Sequence, residues 1–203
     1  MILAFDTSSA ACTAALFDGR GACLARADEV IGRGHAERLV PMVAELINDR
    51  VPDEIIVGVG PGSFTGIRVA IAAAQGMVIG WDAKVHGMSS MALLAASAPG
   101  RGDVAVAIRG GHGELFVQQF DRATLEQRSG LLNLPPQQAA QQTLAALVIG
   151  SGASDLVAAR GWGDALDGLP SAANMVCLPD GLRTLAPKPL YARAPDARVP
   201  EAA

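Results

Sequence analysis

Apolar residues in the first thirty positions fall into three short runs, Ile2 to Phe5, Thr13 to Phe17 and Ala22 to Ala27. Runs of this length bounded by turn formers read as strands, and DGRG at Asp18 to Gly21 is a hairpin signal between the second and third. The period then changes. Ala36, Leu39, Val40, Val43, Leu46 and Ile47 recur at helical spacing, and Pro41 should kink that helix or lie near its start. DEIIVGVG predicts a fourth strand, and a helix follows from Phe64 to about Gly80 with Ser63 or Thr65 as its cap. A strand, a turn at Ala83 and Lys84, and a third helix in GMSSMALLAASA complete this half.

The second half repeats part of that order less clearly. DVAVAI and GELFVQQF alternate around a glycine turn at Gly110 to Gly113, SGLLNL adds a third strand, and a polar helix in QQAAQQTLAA precedes the strand LVIG. Beyond Ser151 there is little periodicity, and APKPLYARAPDARVPEAA reads as an arm along the surface. The expected architecture is α/β, an actin-like ATPase (ribonuclease H-like) fold. It has two lobes, each a mixed sheet flanked by helices, the first over residues 1–100 and a smaller, degenerate second over 101–203.

Half of the 203 residues are hydrophobic, enough for a substantial core. MILAFDTSS has no basic region or small-residue cleavage site of a signal peptide, and the apolar run near Val69 to Gly80 falls short of the roughly 20 residues of a spanning helix. A cytoplasmic, non-membrane protein is expected. Cys12, Cys23 and Cys177 form no pairing motif, and the first two sit in apolar surroundings, as small core residues do. A formal charge of −4 supplies no basic footprint for nucleic acid.

Candidate chemistry concentrates in two places. In VGVGPGSFTGIRVAIAAAQG, Gly60, Gly62, Ser63 and Thr65 lead into a helix N-terminus that could receive a phosphate, and FDTSS offers Asp6, Thr7 and Ser8 beside it. The glycine turn has no Walker lysine and no G-x-S-x-G serine, so a tight packing turn explains it equally well. His35, His86 and His112 are isolated, which leaves no metal site. The helix from Phe64 is apolar on every side except at Arg68 and Gln75, so it must be covered all round, within this chain or by a partner.

GPGSFTGIRVAIAAAQG, ILAFDTSSAACTAAL and HAERLVPMV together resemble the bacterial TsaB family, and PLYARAPDA resembles its C-terminal Pro-x-Tyr-x-Arg signature. The resemblance implies a role in making threonylcarbamoyladenosine beside the anticodon of tRNAs that read codons starting with A. In that pathway TsaD transfers the threonylcarbamoyl group, assisted by TsaB and the ATPase TsaE. TsaD carries a metal-binding H-x-x-x-H on a helix where this chain has Met88 and Ala92, which implies a non-catalytic partner with no metal and no cofactor of its own. ATP or ADP would then lie at a subunit junction, and tRNA would be reached through the complex. Pairing is implied through the two helices, in a heterodimer with TsaD or a homodimer when alone. Leu39, Val43, Leu46, Ile67, Arg68, Ile71, Ala74 and Val78 are the expected interface residues. Where the family has Asp-Ala-Arg and Tyr, this chain has Arg109, Gly110, Gly111 and Phe116, with Glu114 retained. The alternatives are an ATP-dependent phosphotransferase using Asp6, Thr7 and the glycine loop, and a metal-dependent glycoprotease.

Overall fold

Strands β1 (Ile2–Asp6), β2 (Ala11–Phe17) and β3 (Cys23–Val30) form an antiparallel meander, pinned at one end by Ile2 opposite Phe17 and at the other by Asp6 opposite Thr13. The structure, a computed structural model, describes residues 1–190. Helix α1 (His35–Ile47) returns the chain so that β4 (Glu54–Gly58) joins β1 in parallel. After α2 (Phe64–Trp81), β5 (Lys84–Met88) joins β4 in parallel. The first sheet therefore runs β3-β2-β1-β4-β5.

A short helix, α3 (Ser90–Ala95), leads into the second sheet, ordered β10-β9-β6-β7-β8. Its long pair is β6 (Asp103–Arg109) with β7 (Leu115–Asp121), while β8 (Leu132–Leu134), β9 (Leu147–Ile149) and β10 (Asp164–Leu166) have three residues each. Helices α4 (Pro136–Gln142) and α5 (Ala153–Arg160) cover its outer face. This is the two-lobed actin-like arrangement, with a second lobe built on shorter strands.

Strand alternation divides the core into layers. Leu3, Phe5, Cys12, Ala14, Leu16, Ile55 and Val57 point to α1 and α2, whereas Ala4, Ala15, Phe17 and Ile56 point to the other face. There they meet α3, whose six residues are all buried, together with Val104, Val106 and Phe120 of the second sheet. One apolar layer thus belongs to both lobes.

The structure departs from the sequence reading at several points. β3 runs on to Val30, and Lys84 opens β5 instead of forming a turn. Pro41 lies inside α1, on its exposed side, where water can satisfy the carbonyl left without an N–H partner. Residues 152–190 are structured: besides α5 and β10 they form a 3₁₀ segment, Ala172–Cys177, and a last turn of helix, α6 (Asp180–Arg183). This stretch crosses back to the first lobe. Ala172 N donates to Thr13 Oγ1 at 2.8 Å, Leu185 pairs with Gly87, and Leu190 N donates to Val59 O at 2.9 Å. The arm expected along the surface is seen on β5 up to Leu190; most of the Pro-x-Tyr-x-Arg match lies outside the described residues.

Helix α2, at 18 residues, is long and apolar enough by length and composition to cross a membrane, contrary to the shorter run expected. One stripe of it is nevertheless packed on this chain's own sheet. Cys23 is exposed, not a core residue, and so is Cys177. Cys12 is buried, and burial pushes its thiol up to about 11. Iodoacetamide at neutral pH should therefore label Cys23 and Cys177 in the folded chain and reach Cys12 only after unfolding, as peptide mass mapping would report.

Candidate functional site

The turn between β1 and β2 and the glycine turn before α2 are locked together. Asp6 is fully buried; its Oδ1 accepts from Ser8 N and Ser8 Oγ, each at 2.7 Å, and its Oδ2 accepts from Ser90 Oγ. Ser90 Oγ in turn accepts from Gly60 N at 3.1 Å. Thr7, also fully buried, donates through Oγ1 to Gly66 O at 2.7 Å, and Ser63 N donates to Ser8 O at 2.6 Å. Glycine is required by this closeness. A Cβ at Gly58 would stand 1.8 Å from Asp6 Oδ2, one at Gly62 2.2 Å from Ser8 O, and one at Gly66 1.9 Å from Thr7 O.

The groups expected to hold a phosphate are thus spent on one another. Asp6 and Thr7 have no surface to offer a ligand, and Gly60 is buried with them. Ser63 caps α2 by accepting from Gly66 N at 3.2 Å, and Thr65 is exposed on the first turn. Ser63 is exposed and, with the buried Ser8, lines a cavity between the lobes, described below.

The second candidate is the outer surface of α1 and α2. Of the expected interface residues, Leu39, Val43, Leu46, Ile67, Ile71 and Ala74 are buried in this chain's own core against the first sheet. They are not available to a partner: the sheet takes the stripe Gly66, Ile67, Ala70, Ile71, Ala74. Val78 is half-buried, and Arg68 is exposed with its guanidinium 3.6 Å over the Phe64 ring. What remains open lies on the opposite side. Phe64 is 56% exposed, Ile79 87% and Val40 51%, with Ala72 and Gly76 between them on α2. A Cβ at Gly76 would meet nothing within 4 Å, so another backbone can approach closely there. The sequence shows only that α2 is apolar all round, and helical spacing alone does not say which stripe the sheet takes.

The interlobe cavity, of about 330 Å³, lies where the β1–β2 turn and the cap of α2 face the end of β6. Arg109, given no role from the sequence, lines it, with Nε and Nη2 on Asp155 at 2.6 and 3.2 Å. The pair holds the Asp155 carboxyl below its ordinary range. Arg109 also borders a more open groove of about 560 Å³ with Glu114, whose carboxylate accepts from Asn133 Nδ2 at 2.8 Å. His35 Nε2 is 3.2 Å from Ala11 O, and His86 stands 3.8 Å from Glu54. Met88 ends β5 and Ala92 lies in α3, so the two do not share a helix, and both are fully buried between the lobes. Among the described residues no three His, Cys, Asp or Glu side chains gather as a metal site.

The family model described as tRNA N6-adenosine threonylcarbamoyltransferase, TsaD, matches residues 28–130. The chain is 33% identical over 129 residues to the tRNA threonylcarbamoyladenosine biosynthesis protein TsaB of Escherichia coli, covering 60% of this chain and 55% of that protein. It spans about half the length of the curated relatives it matches. Two Pseudomonas aeruginosa structures match over nearly their whole length. One, an uncharacterised protein with similarity to peptidase YeaZ, has a TM-score of 0.80 at 32% identity over 95% of this chain and 99% of that one. The other, YeaZ, has a TM-score of 0.78 at 33% identity over 94% and 98%.

Two glycines of α2 should respond in opposite ways. Gly66→Ala, with its Cβ against Thr7 O, should lower stability by about 2 kcal/mol or more. Gly76→Ala, open to solvent, should raise it by up to ~1 kcal/mol through helix propensity. Ser90→Ala should cost about 1–3 kcal/mol by leaving Asp6 Oδ2 unpaired. Urea denaturation of the three variants checks each sign.

Proposed function

The chain belongs to the TsaB family, and from that membership we propose that it is a non-catalytic partner subunit for threonylcarbamoyl transfer to tRNA, paired with a TsaD paralogue. The observation that carries this reading is the open apolar face of α1 and α2. Ile79 and Val40 are large apolar side chains more than half exposed on adjoining helices, as is Phe64 beneath the Arg68 guanidinium, and Ala72 and Gly76 of α2 permit close helix approach. A buried lobe-to-sheet stripe stabilises the subunit, and the outer stripe recognises the partner.

The resemblance set Met88 and Ala92 against a TsaD ligand pair carried on one helix, whereas here Met88 ends β5 and only Ala92 is helical, so the non-catalytic reading rests on family membership and not on that alignment. Met88 and Ala92 are packed in the layer common to both lobes, with no nitrogen ligands and no access to solvent. The transfer chemistry then resides in TsaD. ATP or ADP, TsaE and tRNA belong to the assembled complex, with nucleotide at a subunit junction. The phosphotransferase reading fares worse, because Asp6 and Thr7, the residues it relies on, are sealed by hydrogen bonds to their own neighbours.

Reconstitution tests the proposal. Threonylcarbamoyl incorporation into tRNA by the other pathway proteins should vanish when this chain is omitted. Ile79→Glu places a charge on the most exposed apolar side chain of this face and should reduce incorporation at least about tenfold, equivalent to ~1.4 kcal/mol or more of lost association, with the circular dichroism of the isolated chain unchanged. Gly76→Ala should impair incorporation while the isolated chain gains stability. Incorporation that persists without the chain would refute the reading.

A further inference from the structure

At eight residues, β3 is the longest strand among the described residues, and it lies at the edge of the first sheet. The opposite edge, β5, is covered where Gly87 pairs with Leu185, and the edge strands of the second sheet, β8 and β10, have three residues each. Among the described residues no strand or loop backbone pairs with the outer side of β3. Ile31 N donates to Ala10 O at 3.0 Å, continuing the β2–β3 ladder by one residue pair. Alternation from that bond turns the N–H and C=O of Ala25, Ala27 and Glu29 toward β2, and those of Arg26, Asp28 and Val30 outward. From Ala25 to Val30 the strand has no proline and no bulge to blunt these outward groups.

The side chains along this edge are complementary to themselves. Leu24, Arg26, Asp28 and Val30 share one face, with Leu24 45% and Val30 74% exposed. Arg26 makes no hydrogen bond or ion pair among the described residues, and Asp28 commits only Oδ1, to the hydroxyls of Thr13 and Ser171. A second copy laid antiparallel about a two-fold axis at Ala27 sets Arg26 against Asp28 and Leu24 against Val30, each pair formed twice. The same register brings the outward N–H and C=O groups of the two strands face to face. Registers one residue away oppose outward groups to inward ones, and those centred on Arg26 or Asp28 set like charges against each other. We propose that β3 is a self-association edge, through which two copies of this chain join their five-stranded first sheets into one continuous sheet. Self-pairing is thereby assigned to a surface other than the two helices. It is also separate from the TsaD reading, because α2 packs over β1, β4 and β5, away from β3, and leaves Phe64 and Ile79 open in the dimer. A contact of one strand on another is narrow, so the dimer is weak and depends on concentration.

Sedimentation equilibrium of the full-length chain, loaded at up to about 1 mM, tests the proposal. The expected result is a monomer–dimer equilibrium with a micromolar to submillimolar Kd, weakened by added salt because the facing charges are exposed. Arg26→Glu should weaken association at least about tenfold, and Val30→Pro, which removes one outward N–H, by a similar factor. Both side chains are exposed, so the circular dichroism and urea midpoint of the monomer should stay close to those of the parent. Arg26→Glu chains mixed with Asp28→Arg chains should associate more tightly than either variant does with itself, since every arginine then faces an acid. Ile79→Glu should leave self-association unchanged. The proposal is overturned if the chain stays monomeric throughout, or if Arg26→Glu and Val30→Pro associate like the parent. It is equally overturned if Ile79→Glu abolishes the dimer, which would place the contact on α2.

Discussion

Asp6 is fully buried with no basic side chain beside it among the described residues, so its carboxyl group depends on Ser8 and Ser90 for every hydrogen bond it makes. A buried carboxyl group without such partners costs several kcal/mol, which makes its surroundings intolerant of change. The consequences spread outward. Ser90 belongs to α3, so the bond ties the central strand β1 to the layer between the lobes. Gly58 on β4 must lack a side chain for Asp6 to fit, and Gly62 and Gly66 must lack one for the β1–β2 turn to press against the start of α2. The angle at which α2 leaves the sheet is set there, and with it the face that α2 turns to solvent.

That geometry explains how a sequence resembling a phosphate loop comes to hold no place for phosphate at Asp6. Glycines that could admit a ligand here admit the chain itself. The shared core has a similar effect on the lobes. α3 and the 3₁₀ segment Ala172–Cys177 lie between the two sheets, and hydrogen bonds from Ala172, Leu185 and Leu190 fasten the C-terminal third to the first lobe. A fold often associated with cleft chemistry is here consolidated around its middle. The outer side of α1 and α2 also stays open, with Ile79 and Val40 more than half exposed.

Much of the first lobe was legible in the sequence because its signals are local: the hairpin turn at Asp18 to Gly21, the change from strand to helix period before Leu39, and the Ser63 cap. The two-lobed fold followed from the order of these elements. The interface phase was not legible, because α2 is apolar on both sides and only the packed sheet distinguishes Ile67 and Ile71 from Phe64 and Ile79. Nor was the return of residues 171–190 to the first lobe. That stretch is held by hydrogen bonds to Thr13, Asp28, Gly87 and Val59, far away in sequence, and by Ala172, Met175, Leu178 and Leu182 buried in the shared layer, a run too short and too interrupted by Pro179 and Gly181 to announce itself as an element. Cys23 misled through neighbours that are apolar yet lie on the edge strand β3.

The proposed pairing places the TsaD contact on the outer face of α1 and α2. Hydroxyl-radical footprinting of the chain alone and mixed with its TsaD paralogue tests it most directly, because the reactivity of individual side chains reports their exposure. Phe64, Ile79 and Val40 should lose reactivity on mixing, while Leu144 and Trp162, exposed on the second lobe, should keep theirs. Unchanged reactivity at all five, or protection confined to Leu144 and Trp162, would contradict it.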